Sequence, residues 1–206
     1  MATADDGLLT VLGRSQRQGF LGPGNLLTHV THARAHEAVA QPMTGQRWCD
    51  LGSGGGVPGL VMALGRPDVE FVLLDRSQRR VSFLDTAVRE LKLAGHVAVA
   101  LGDAAELARR PEHRYAYDGV VSRAFGPPAA VAECSAGLLQ LGGRLVVSEP
   151  PGSDETRWPA EPLARLGMRF VHRTGPAPVF AVLERRATPD TAYPRTWKQI
   201  RKRPLF

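Results

Sequence analysis

An α/β fold, with a doubly wound and mostly parallel sheet covered by helices on both faces, is the architecture this sequence predicts. Three observations predict it. A strand-then-helix rhythm repeats between residues 47 and 148, a glycine-rich loop follows directly on the first strand, and two late strand-like runs suit an antiparallel edge.

The elements are expected as follows. Residues 1–24 show little periodicity and end in the turn-forming Gly19-Phe20-Leu21-Gly22-Pro23-Gly24. Residues 25–41 suit a helix capped by Asn25 and stopped by Pro42, with His29, His32 and His36 making its pattern impure. Strands are expected at 47–51, 69–74, 97–101, 117–122 and 143–148. Helices are expected at 58–64, 77–93, 104–109 and 128–139; in the second, Val81, Leu84, Val88 and Leu91 share one face and Gly95 is the expected stop. A short helix at 162–166, ended by Gly167, leads to strands at 169–173 and 179–185. The chain thus divides into a short helical N-terminal extension (1–24), one α/β domain (25–186) and a basic C-terminal tail (187–206).

Composition narrows the classes. With 206 residues, 43% apolar and 22% charged, the chain is of ordinary globular type and long enough for one sizeable core. It holds no long uncharged apolar run, and Asp5 and Asp6 lie where a secretory leader would be apolar, so a cytoplasmic protein with no membrane partner is expected. Cys49 and Cys134 are far apart and belong to no metal-ligand cluster, so buried thiols are expected and no metal site. The net charge is +6, and the tail alone carries five cations (Arg195, Lys198, Arg201, Lys202, Arg203) against Asp190. Such a tail suits either a solvated end or a footprint for a polyanion.

The loop Cys49-Asp50-Leu51-Gly52-Ser53-Gly54-Gly55-Gly56-Val57-Pro58-Gly59 places five glycines within residues 52–59. Gly54-x-Gly56-x-x-Gly59 satisfies a dinucleotide spacing, a weak signal alone, and no Gly-Lys-Ser/Thr follows for a P-loop. Counted from the strand end, the pattern is Asp50-x-Gly52-x-Gly54-x-Gly56. It resembles the first motif of class I S-adenosylmethionine-dependent methyltransferases, where a carboxylate beside a cationic sulfonium and amino-acid group is an asset. Asp75 ends the second strand, where a carboxylate can accept from both ribose hydroxyls, and Asp103 ends the third. Three acids at the ends of three successive strands are a more specific signal than any one of them.

Asp50-Leu-Gly-Ser-Gly-Gly-Gly-Val-Pro-Gly59, Leu73-Leu-Asp75 with Arg80-Val-Ser-Phe-Leu84, and Asp118-Gly-Val-Val-Ser-Arg-Ala-Phe125 together resemble the glucose-inhibited division protein B family. The resemblance implies a Rossmann-like class I methyltransferase fold, S-adenosyl-L-methionine as cofactor, and methylation of guanine N7 in small-subunit ribosomal RNA. The ribosomal RNA or small subunit is the implied partner. The implied cofactor-binding set is Asp50, Gly52, Ser53, Gly54, Gly56, Asp75, Arg76, Asp103, Ala104 and Arg123. Arg123 and His32 are the implied catalytic residues; Arg123 borders cofactor and target nucleotide, and His32 lies 18 residues before Asp50. Tyr193-Pro-Arg195 and Lys202-Arg-Pro-Leu-Phe206 resemble the family's basic terminus, which favours a tail in contact with RNA.

Guanine N7 carries an unprotonated lone pair, so orientation and desolvation can supply most of the catalysis in a direct in-line transfer. No nucleophile–base–acid triad is apparent, in keeping with such a reaction. His32-Ala-Arg-Ala-His36 departs from the family's His-x-x-Asp-Ser. That departure motivates one alternative, a methyltransferase of a small-molecule or other non-ribosomal acceptor. A second alternative is a non-catalytic RNA-binding module, which cofactor binding would separate from both enzyme readings.

Overall fold

The computed structural model describes the backbone from Ala4 to Phe206 and the side chains from Asp6 onward. Strands β1 (Arg47–Leu51), β2 (Glu70–Asp75), β3 (Val97–Leu101), β4 (Tyr117–Ser122), β5 (Leu139–Glu149), β6 (Met168–Arg173) and β7 (Val179–Arg185) form one sheet, ordered β3-β2-β1-β4-β5-β7-β6. The β1–β2, β1–β4, β2–β3 and β4–β5 pairs are parallel, and β7 runs antiparallel to both neighbours. The strand order reverses beside β1, where chain from β1 and β4 diverges and a crevice opens at the carboxyl ends.

Helices α1 (Ala4–Arg17), α2 (Leu26–Ala40), α3 (Gly59–Gly65), α4 (Gln78–Glu90), α5 (Ala104–Leu107), α6 (Pro128–Leu138), α7 (Ala160–Arg165) and α8 (Trp197–Lys202) surround the sheet, with a 3₁₀ turn at Glu155–Arg157. Successive strand residues alternate between two cores. Trp48, Phe71, Leu73, Val121 and Val146 face Leu60, Met62, Leu84 and Val88 of α3 and α4. Cys49, Leu51, Leu74, Val120 and Leu145 face Leu107, Val131, Cys134 and Leu138 of α5 and α6. Period-two alternation with both sets apolar is what a parallel sheet covered on both sides requires.

The Asn25 side chain accepts the Leu27 N–H at 2.8 Å, and α2 begins there as its capping residue dictates. The helical N-terminal extension is α1, whose Leu8, Val11 and Leu12 are at most 2% exposed. Its apolar stripe is short and diluted by Gly7, Thr10 and Gly13, so packing rather than propensity holds it. Helix α4 ends at Glu90, ahead of Gly95: Lys92, at φ +57°, makes the left-handed turn. The C-terminal tail folds back as α8, with Tyr193 and Ile200 buried.

Candidate functional site

The glycine loop joins β1 to α3 at the carboxyl edge of the sheet. Asp50 is 1% exposed, and its Oδ2 accepts the Gly59 N–H at 2.9 Å, tying the strand end to the first turn of α3. A Cβ on Gly59 would stand 2.5 Å from that same oxygen, so this backbone approach admits only glycine. Burial pushes the Asp50 carboxyl up to about 7, against the pull of the Gly59 N–H. Its Oδ1 is buried and has no hydrogen-bond partner among the described residues. A buried acceptor left open in this way fits a site that receives a positively charged or hydrogen-donating group.

Gly52 sits at φ +76°, and a Cβ there would meet Phe125 at 2.6 Å. Gly54, at φ +52°, donates its N–H to Asp75 Oδ2 at 2.9 Å. Ser53 Oγ donates to the Asp50 carbonyl at 2.9 Å and staples the loop. Gly56 turns inward, where a side chain would run into Leu60. The loop is also braced from outside. The Ser15 hydroxyl of α1 donates to the Gly55 carbonyl at 3.0 Å, and a Cβ on Gly55 would stand 2.9 Å from the Phe20 carbonyl.

A cleft opens beside Gly52 at the carboxyl ends of the strands. Asp75, Arg76, Asp103 and Ala104 line one side, and Ala124, Phe125 and Trp197 another. Asp75 is buried, and its Oδ1 takes the Ser77 N–H at 2.8 Å while Arg80 approaches Oδ2 at 3.6 Å. Each carboxylate oxygen accepts two hydrogen bonds, so capacity remains for a ligand. Asp103 caps α5 through Oδ1, which accepts from Ala105 at 2.9 Å and Glu106 at 3.3 Å. Capping and ligand binding are compatible here, because the cap uses one oxygen of the two.

The sequence-expected residues fall into three groups. Gly52, Asp75, Arg76, Asp103 and Ala104 line the cleft. Asp50, Ser53, Gly54 and Gly56 form the loop beneath and behind it. Arg123 and His32 lie outside the lining, toward α2.

Arg123 follows β4, and its Nη2 donates to His29 Nδ1 at 2.9 Å. His29 donates in turn from Nε2 to the Gly22 carbonyl at 3.2 Å, which selects the neutral tautomer able to receive the arginine. Arg123 Nη1 is buried without a partner among the described residues. Burial lowers this guanidinium from its ordinary value, and the Asp50 carboxylate opposes the shift. His32 pairs with Ser148 Oγ through Nε2 at 3.0 Å, and burial, helped by the positive Arg123 nearby, lowers it to about 4. It is therefore neutral at pH 7.

Sequence reasoning gave no site role to His29, Phe125 or Trp197. The spacing 29, 32, 36 was the available signal for His29, since i, i+3 and i+7 share one helical face. That face packs on the ends of β4 and β5, where His36 Nε2 donates to the Val146 carbonyl at 2.9 Å. A second cavity adjoins the first across Ala124 and Phe125 and is bounded by Ser148, Glu149, Arg157 and Trp158. Among the described residues, no group of three or more His, Cys, Asp or Glu is placed to hold a metal ion.

The family model GidB, rRNA small subunit methyltransferase G, matches residues 24–150. The chain belongs to this family. A ribosomal RNA small subunit methyltransferase G of Deinococcus deserti is 36% identical over 166 residues, covering 76% of this chain and 67% of the relative. Its namesake in Symbiobacterium thermophilum is 32% identical over 193 residues, 87% of this chain and 78% of the relative. The namesake in Clostridium novyi is 37% identical over 106 residues, and there the match spans only 43% of the relative's length. A methyltransferase from Geobacter sulfurreducens superposes with a TM-score of 0.65 over 90% of this chain and 92% of its own, at 14% identity, so the two share a fold. The GidB match begins at residue 24 and stops at residue 150, so neither α1 nor α8 lies within it.

Proposed function

We propose that this chain is an S-adenosylmethionine-dependent methyltransferase acting on guanine N7 of small-subunit ribosomal RNA. The observation that carries the cofactor half is the cleft at the strand-order reversal, where Asp75 and Asp103 stand at the ends of β2 and β3 beside the positive-φ Gly52. Family membership and the names of the relatives support the acceptor half. When bound, S-adenosylmethionine supplies a methyl group activated by a sulfonium leaving group.

The chain's residues bind and orient. Asp75 accepts from the ribose hydroxyls, Asp103 receives the purine amine through the oxygen its cap leaves open, and the partnerless Asp50 Oδ1 favours the cationic end. The adjoining cavity shelters the target base from water, and Arg123, braced by His29, directs it through a guanine O6 or a phosphate. Guanine N7 needs no deprotonation. His32, neutral at pH 7, accordingly holds Ser148 in the wall of that cavity and takes no proton.

The deciding experiment incubates the protein with labelled S-adenosylmethionine and small ribosomal subunits, or ribosomal RNA, lacking the modification. Label is expected in RNA, released as 7-methylguanine on hydrolysis. Cofactor binding with no label in either RNA substrate would move the acceptor to another class, and absence of cofactor binding would overturn the enzyme reading.

A further inference from the structure

We infer that the C-terminal segment is a working wall of the cofactor cleft, with Trp197 as the aromatic surface against which the purine of the cofactor packs. The inference rests on the cofactor assignment above. The tail carries a net basic charge, yet its first half is committed to the protein. Arg195 donates to Glu133 through its backbone N–H at 2.7 Å, Nε at 2.9 Å and Nη2 at 2.6 Å, and Glu133 is fully buried on α6. Arg109 Nε holds the Pro194 carbonyl at 2.9 Å. Thr196 and Gln199 close a reciprocal capping box, and Ile200 is 1% exposed.

These anchors set Trp197, the first residue of α8, in the cleft lining opposite the strand-end acids. Its ring lies 5.5 Å from that of Phe125 in an edge arrangement, and the Arg76 guanidinium stands 5.8 Å from its centroid. Its indole Nε1 is shut off from solvent and has no hydrogen-bond partner among the described residues. A buried indole N–H without an acceptor is costly to a folded chain, so its retention here points to an acceptor that arrives with a ligand. A nucleoside asks for two things, acceptors for its sugar hydroxyls and a flat apolar surface for its base. Asp75 meets the first, and among the cleft residues Phe125 and Trp197 meet the second.

The test is calorimetric titration of S-adenosylhomocysteine and of 5′-methylthioadenosine, which share the purine nucleoside and differ in the amino-acid end. Trp197→Ala is expected to weaken both by the same factor, about 5- to 150-fold, the span expected when a stacked aromatic is truncated. Trp197→Phe is expected to keep most of the affinity for both. Ligand binding should also alter intrinsic tryptophan emission in the wild type, and that change should be lost in Trp197→Phe although Trp48 and Trp158 remain.

Wild-type affinity in Trp197→Ala overturns the inference, as does a loss confined to S-adenosylhomocysteine, which would place the ring at the amino-acid end. Should Trp197→Ala fail to fold, a full emission change retained in Trp197→Phe overturns it equally. Wild-type protein that binds neither ligand overturns the cofactor reading itself, and so is told apart from a failure of this inference alone.

Discussion

Arg123 Nη2 donates to His29 Nδ1 at 2.9 Å, across 94 residues of chain, and this bond joins the end of β4 to the first turn of α2. It aims a partly desolvated guanidinium whose Nη1 is still open. Arg123→Ala is expected to depress turnover far more than cofactor affinity, and His29→Ala to lower turnover by about 10- to 100-fold through misplacement of Arg123. Steady-state kinetics with calorimetry on both variants check this. A His29→Ala variant with unaltered kcat would show that the brace is structural only.

Asp75→Ala removes the expected ribose acceptor and also frees the Gly54 and Ser77 N–H groups. Cofactor affinity is expected to fall by about 1–3 kcal/mol, the range for hydrogen bonds to a charged group and for a donor left unpaired. Asp75→Asn, which keeps one acceptor oxygen, should fall less. Titration of the demethylated cofactor into each variant measures both.

Gly55→Ala should destabilise the fold by about 1–3 kcal/mol, because its Cβ would press on the Phe20 backbone and the Ser15 hydroxyl. Gly54→Ala meets nothing closer than 3.7 Å and should cost only the left-handed backbone penalty, about 1 kcal/mol. Urea unfolding of the pair tests whether α1 is seated on the loop. Equal losses would deny the contact.

Arg195→Met leaves the Glu133 carboxylate buried without its cation, and a loss of about 3–5 kcal/mol is expected. Adding Glu133→Leu should restore part of that loss. Thermal unfolding of the single and double variants reads the difference.

Acid should weaken the fold. Burial holds His36 at about 3 and His32 at about 4, while the unfolded chain protonates histidine near ~6.5, so stability falls as pH drops below that value. Asp50, raised to about 7, acts with the opposite sign: its unfolded carboxyl ionises near ~4, so it opposes folding increasingly between about pH 4 and 7. Two histidines outweigh one carboxyl. The melting temperature should rise between pH 4 and 6.5, and His36→Gln should flatten that rise. A variant with the full slope would acquit His36.

The loop from Asp50 to Gly59, the acids Asp75 and Asp103, and the alternation of strands with helices were legible because each follows from local rules. Apolar runs of period two read as strands, and an acid at a strand end followed by glycines reads as a turn with close backbone approach. The sequence by itself therefore determined the fold class and the family.

The tertiary structure decided what those glycines touch and what completes the site. Gly55 answers to Ser15 and Phe20, Gly56 to Leu60, and only Gly52 borders the cleft. The histidine face of α2 became the support of Arg123, and the basic tail became, through Trp197, part of the cleft wall. Each of these pairings joins residues 35 or more positions apart, except Gly56 with Leu60. Propensity and spacing act over a few residues, whereas burial and hydrogen-bond satisfaction act between whatever surfaces the fold brings together.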